Sequence, residues 1–237
     1  MTPEFYLEIL ARSNSLEKIA ITDHGMAIYF PAEVAWQWKY ISDSSVFDEY
    51  REFGNRRLEK QLEKLSPLKS KGILTGIETE MMHDHRLTLD SNFRDQLDVL
   101  IGSVHFLPIS KKAGNTEKET LDFWLDHMEG LLETGIDILG HPFRWLSAQM
   151  DDIPLEIISR TVSNSKDKRV ALELNSHIIG SDEIEIAMLR EVAEQGAKIV
   201  FSTDSHRREE VGDLSYHSMM LEKAGLKKED LKFYELP

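Results

Sequence analysis

IEIAMLREVAEQGAKIVFSTDSH, the stretch from Ile184 to His206, decides the fold. Its first half places Ile184, Ala187, Met188, Leu189, Val192 and Ala193 on one face of a helix. Gly196 follows where that helix must stop, because glycine takes the left-handed backbone that closes a helix without penalty. The chain then runs straight into Ile199–Thr203, an apolar run of strand length with no room for a polar face. Such a run suits a strand buried on both sides, as in a parallel sheet. Asp204 and His206 come immediately after it.

Working outward, the same unit recurs. Apolar runs stand at Ile19–Thr22, Ile73–Ile77, Leu97–Val104, Ile136–Leu139 and Val170–Leu174. A second helical face, Leu121, Trp124, Leu125, Met128, Leu131 and Leu132, ends near Gly135. Alternating strand and helix argue for an α/β fold around a parallel sheet. No linker or repeat interrupts the pattern over residues 1–237, which are read as one domain. The region Ala32–Leu65 is expected to be helical, with Tyr50, Phe53, Leu58, Leu62 and Leu65 as its buried stripe. At the N-terminus, Thr2 is placed to cap a helix that starts at Pro3. A β/α barrel would put a strand before that helix, and none precedes it.

Each strand is followed by metal-competent chemistry: Thr22-Asp23-His24-Gly25, Gly76-Ile77-Glu78-Thr79-Glu80, Gly102-Ser103-Val104-His105, Gly140-His141-Pro142, Glu173-Leu174-Asn175-Ser176-His177 and Ser202-Thr203-Asp204-Ser205-His206. In a parallel barrel the C-terminal strand ends gather on the face that carries the active site. Five of the nine histidines (His24, His105, His141, His177, His206) fall at these ends, which a purely structural use of histidine does not explain. Imidazole and carboxylate together are the ligand set of zinc, manganese or iron.

Composition narrows the field. The chain carries 28 Lys and Arg against 42 Asp and Glu, a formal net charge of −14. Such a surface repels polyanions and argues against nucleic acid as the main partner. There is no cysteine, so zinc would be held by His, Asp and Glu alone, and a reducing cytoplasm is the expected setting. The first residues lack the pattern of a signal peptide, and no apolar run approaches the ~20 residues of a membrane span.

The ordered set Thr-Asp-His, Gly-Ile-Glu, Gly-Ser-Val-His, Gly-His-Pro, Glu-x-Asn-Ser and Asp-x-His resembles the PHP (polymerase and histidinol phosphatase) family, over Thr2 to about Leu226. Gly-Ser-Val-His followed by Phe106, and Gly-Ile-Asp-Ile-Leu-Gly-His at 135–141, are most similar to its histidinol phosphatase branch. The resemblance implies a distorted (β/α)7 TIM-like barrel with up to three divalent ions. It implies that Glu78 bridges two of them, that His105 and His141 complete one site with it, that Asp204 serves a second, and that His24 and His206 serve a third. Family members open with a strand bearing a His-x-His pair and a further His. That segment is absent here, so the first strand of the barrel is expected to be missing. Only the Glu78, His105 and His141 site then keeps its full ligand set. Truncation, loss of the segment together with the activity, and replacement of its ligands all account for this. His83-Asp84-His85 is a misplaced His-x-His pair, read as a solvated turn.

The reaction implied is hydrolysis of a small phosphomonoester, histidinol phosphate being the first candidate, with Asp204 and His206 assisting proton transfer. Arg144 and His177 are candidates to bind the substrate, and Arg207 and Arg208, directly after His206, are weaker ones. Asn175 and Ser176 can orient ligands, Glu173 and Glu80 are read as structural, and His127 and His217 as solvated helix residues. If the N-terminal segment is truly absent, very low activity is expected. The alternatives are a non-catalytic PHP domain that binds a metal or a phosphorylated ligand, and an amidohydrolase-like barrel, which would want a bridging lysine where Glu78 stands. A barrel lacking a strand exposes sheet edges, which invites oligomerisation.

Overall fold

A computed structural model describes residues 1–13, 16–110, 113–150, 152–177 and 181–237. Strands β1 (Ile19–His24), β2 (Ile73–Thr79), β3 (Val99–Gly102), β4 (Ile138–Leu139), β5 (Ala171–Asn175), β6 (Lys198–Ser202) and β7 (Lys232–Phe233) are neighbours in chain order in one sheet. The pairs β1–β2, β4–β5, β5–β6 and β6–β7 are parallel. Unbroken sequential parallel order is the strand order of TIM-like α/β barrels, whereas doubly wound sheets reverse it. The six runs read from sequence are the first six strands, with ends shifted by at most two residues. β7 carries no apolar run of its own and is an addition to that reading.

The chain divides into two compact units. The first comprises residues 1–101, 207–212 and 236–237, and the second residues 102–206 and 213–235.

In the first unit, α1 (Pro3–Arg12) precedes β1. Thr2 occupies its N-cap position, but its side chain makes no capping bond to the helix. No residue of α1 is buried, and β1 is half-buried, whereas every residue of β2 is buried. The short helices α2 (Gly25–Tyr29), α3 (Ala32–Ala35) and α4 (Lys39–Ser42) lead to the long α5 (Ser45–Leu65). Its buried face is Phe47, Gly54, Leu58, Leu62 and Leu65. Phe53 is 38% exposed, which corrects the expected stripe: the helix turns Gly54 inward because only a glycine clears the Tyr29 ring. A Cβ at Gly54 would lie 2.1 Å from Tyr29 Cδ1.

In the second unit, α6 (Glu117–Leu132) starts with a capping box in which Thr116 Oγ1 accepts from the Glu119 N–H and Glu119 accepts from the Thr116 N–H. It buries Trp124, Met128, Leu131 and Leu132. The short α7 (Arg144–Ser147) follows β4, and α8 (Leu155–Lys168) leads into β5. Ser181 caps α9 (Asp182–Gln195), which Gly196 closes at φ +66°. The last helix is α10 (Ser215–Ala224). His127 and His217 are buried rather than solvated, because each falls on the inward face of its helix. His217 Nε2 lies 3.0 Å from the Leu174 carbonyl and 2.9 Å from that of Ser202, and its ring stacks on Phe201. Two acceptors at Nε2 require the hydrogen there, and burial lowers the pKa of the imidazole, against the opposing pull of those two bonds.

Candidate functional site

In the first unit, parallel pairing sets His24 directly across from Glu78, the two residues at the C-terminal ends of β1 and β2. Adjacent strands in register present neighbouring side chains to one face, and here His24 Nδ1 comes 2.9 Å from Glu78 Oε2. Glu78 is buried and His24 half-buried. Gly25 permits the close turn: a Cβ there would meet the Thr88 carbonyl at 3.0 Å. Asp23 points away and accepts from Gln61 Nε2 at 2.9 Å. Glu80 is buried and accepts from Thr88 Oγ1 at 3.0 Å. His83 and His85 lie on an exposed turn beneath the Met81–Leu87 bridge, with Arg86 joining Asp84 and Asp48. Arg207 is exposed beside Glu210, and the Arg208 guanidinium lies over the Phe5 ring.

In the second unit, His105 and His141 follow β3 and β4, with ring centroids 4.9 Å apart at 65°. Asp204 follows β6, and its Oδ1 is 3.2 Å from His206 Nε2. Its other oxygen accepts from Arg144 Nη1 at 3.2 Å. Arg144 Nη2 donates to the His177 carbonyl at 2.8 Å, and the His177 ring lies against that of His206 at 4.7 Å. His206 is half-exposed, so this cluster opens to solvent on one side. Two of these residues hold a left-handed backbone without being glycine, His141 at φ +27° and Asp204 at φ +42°. Such conformations cost about 1–3 kcal/mol each and persist where the surroundings enforce them.

Glu185, half-buried on α9, is a perturbed acid within the electrostatic reach of Arg144 that the sequence reading passed over. Burial pushes its carboxyl up to about 8; Arg144 opposes the rise, and Glu173 and Asp182 add to it. The signal was present: Glu185, Met188, Leu189 and Val192 share one helical face.

The donors fit a divalent cation. Imidazole nitrogen and carboxylate oxygen already face each other in the His24–Glu78 and Asp204–His206 pairs, two more imidazoles stand together, and no thiol competes.

Comparison with known proteins agrees with this chemistry. A probable phosphatase of Acetivibrio thermocellus is 27% identical over 221 residues, covering 91% of this chain and 78% of that protein. The DNA polymerase/3'-5' exonuclease PolX of Bacillus subtilis is 25% identical over 187 residues, which are 76% of this chain but 30% of that enzyme. The crystal structure of histidinol phosphate phosphatase from Lactococcus lactis, complexed with zinc, L-histidinol and phosphate, superposes with a TM-score of 0.51 at 16% identity, covering 95% of this chain and 88% of that one. That likeness bears on the fold. The family model of the PHP domain matches residues 7–177, well over half of the 237 residues, and the chain belongs to the PHP domain family.

Proposed function

We propose that this chain is a phosphomonoesterase that works with bound divalent cations on a small phosphorylated substrate. The observation that carries this reading is the Arg144–Asp204–His206 arrangement, in which a guanidinium, a carboxylate and an imidazole meet within 3.2 Å contacts. The proposed ligands are His24 and Glu78 in the first unit, and His105, His141, Asp204 and His206 in the second. Zinc, manganese and iron are the ions that this donor set accepts. Bound ions would supply Lewis acidity and neutralise charge on the phosphoryl group.

The chain's own residues do the rest. Arg144 offers a planar pair of N–H donors suited to phosphate oxygens, with His177 and Arg207 as further substrate contacts. Asp204 or His206 passes a proton to the leaving oxygen, as their hydrogen-bonded geometry allows. The fold likeness to a histidinol phosphate phosphatase makes histidinol phosphate the first substrate to try.

The test is elemental analysis of protein purified without chelator, run beside phosphate release from histidinol phosphate and 4-nitrophenyl phosphate. Two or three ions per chain with turnover supports the reading. One ion or none, with no phosphate released from either substrate, sinks it.

A further inference from the structure

Glu173, in the middle of β5, is 4% exposed. Its carboxylate accepts from the His141 backbone N–H at 2.8 Å, from Asn175 Nδ2 at 3.1 Å and from Ser202 Oγ at 2.6 Å. All three donors are neutral groups, so among the described residues this buried acid is held by hydrogen bonds rather than by a matching cation. Two of the three lead to the strained residues. The first is the N–H of His141 itself. The second is Asn175, whose Nδ2 also reaches Asp204 Oδ2 at 3.4 Å. The orientation of the Asn175 amide is fixed independently, because its Oδ1 accepts from the His177 N–H at 2.7 Å. That leaves the nitrogen end facing both carboxylates. A single buried carboxylate thus anchors both left-handed positions, which lie 63 residues apart in sequence at φ +27° and φ +42°.

We propose that Glu173 is a positioning residue: with Asn175 as its relay, its carboxylate holds His141 and Asp204 in the strained backbone that presents their side chains to a divalent cation. The inference rests on the reading of His141 and Asp204 as ligands made above. Groups that orient metal ligands in this way commonly change affinity by about 10–100-fold when removed.

Two substitutions separate the clamp from simple packing. Glu173→Gln keeps an oxygen for the His141 N–H and for Asn175, and its amide can donate to Ser202 Oγ, which reverses its role. Glu173→Ala removes every acceptor. Hydrogen exchange at the His141 amide is compared with exchange at Leu139, its neighbour in β4. In Glu173→Ala we expect His141 to exchange about tenfold faster or more while Leu139 does not follow, and zinc affinity, read by competition with a chromophoric chelator, to fall about tenfold or more. Glu173→Gln should recover most of both. A folded Glu173→Ala protein with wild-type exchange at His141 and wild-type zinc affinity overturns the proposal. If that variant does not fold, Asn175→Ala removes the relay, together with the acceptor of the His177 N–H, and leaves the Glu173–His141 bond in place: zinc affinity falls with His141 exchange unchanged, and wild-type zinc affinity there overturns the proposal instead. If the wild-type protein binds zinc and Glu173→Ala binds it equally, the clamp falls and the phosphatase reading stands. If the wild-type protein binds none, that reading falls, and the exchange comparison alone judges the clamp.

Discussion

Arg144 makes two bonds that compete with its proposed task. It donates to Asp204 at 3.2 Å and to the His177 carbonyl at 2.8 Å, so a substrate phosphate must share or replace these contacts. A hydrogen bond to a charged group contributes about 1.5–3 kcal/mol. Arg144→Ala should therefore lower kcat/KM for a phosphomonoester by roughly 10–100-fold, mostly through KM, and Arg144→Lys should restore charge without restoring the two-pronged contact. An unchanged KM in the alanine variant would remove Arg144 from substrate binding. Glu185 carries a different prediction. Its folded carboxyl is raised to about 8 from an ordinary 4.5, so between those values the folded state holds a proton that the unfolded chain has released. The stabilisation linked to that proton is complete below about 4.5 and is lost as pH rises through 8. Melting temperature measured without added metal should fall from pH 5 to pH 8, and Glu185→Gln should flatten the fall. A slope identical in the two proteins would show that Glu185 does not titrate in this range.

At the scale of elements, α5 fits tightly on α2. Gly54 faces the Tyr29 ring so tightly that a methyl group would stand 2.1 Å from it, and both partners are buried. Gly54→Ala gains helix propensity of about 1 kcal/mol but must displace a ring that also bonds Asn55 and the Asp90 N–H. Overpacking of this kind costs about 1–3 kcal/mol, so chemical denaturation should show a net loss of stability; a gain would mean that the ring moves freely. This contact also marks what the sequence could and could not reveal. Strands β1 to β6 were legible because each carries an apolar run of strand length, fully buried in β2 to β5, and the acid or imidazole after each run supplied the proposed site residues. β7, Lys232–Phe233, is two residues long and has no such run. Phe53 looked like core because periodicity counts hydrophobicity, whereas the helix was rotated by a steric demand at Gly54 that only the packed structure contains. His127 and His217 are polar by type and buried by position, and nothing local announces the two carbonyls that bind His217. The positive φ of His141 and Asp204 was likewise hidden, since neither is a glycine and the groups that enforce it come from other strands.

For the whole molecule, a net charge of −14 means that the folded state works against its own repulsion. Several of the carboxylates involved, Glu78, Glu173 and Asp204 among them, are buried or half-buried, where salt screens poorly. Specific binding of a divalent cation and general screening by salt should therefore both stabilise the protein, and they can be told apart. A ligand that binds only the folded state at a concentration 100 times its Kd adds about 2.7 kcal/mol, which for a chain of this size raises the melting temperature by roughly 5–10 °C. We expect a rise of that order when micromolar zinc or manganese is added to chelator-treated protein, and its loss when the chelator is returned. Sodium chloride at matched ionic strength should give almost none of it, because at micromolar metal the added ionic strength is negligible. Glu78→Gln and His141→Ala should each shrink the rise, since each removes a proposed ligand. A rise that sodium chloride reproduces, or that both variants keep in full, would assign the effect to relief of surface repulsion and leave the carboxylates and imidazoles at the strand ends without a cation to hold.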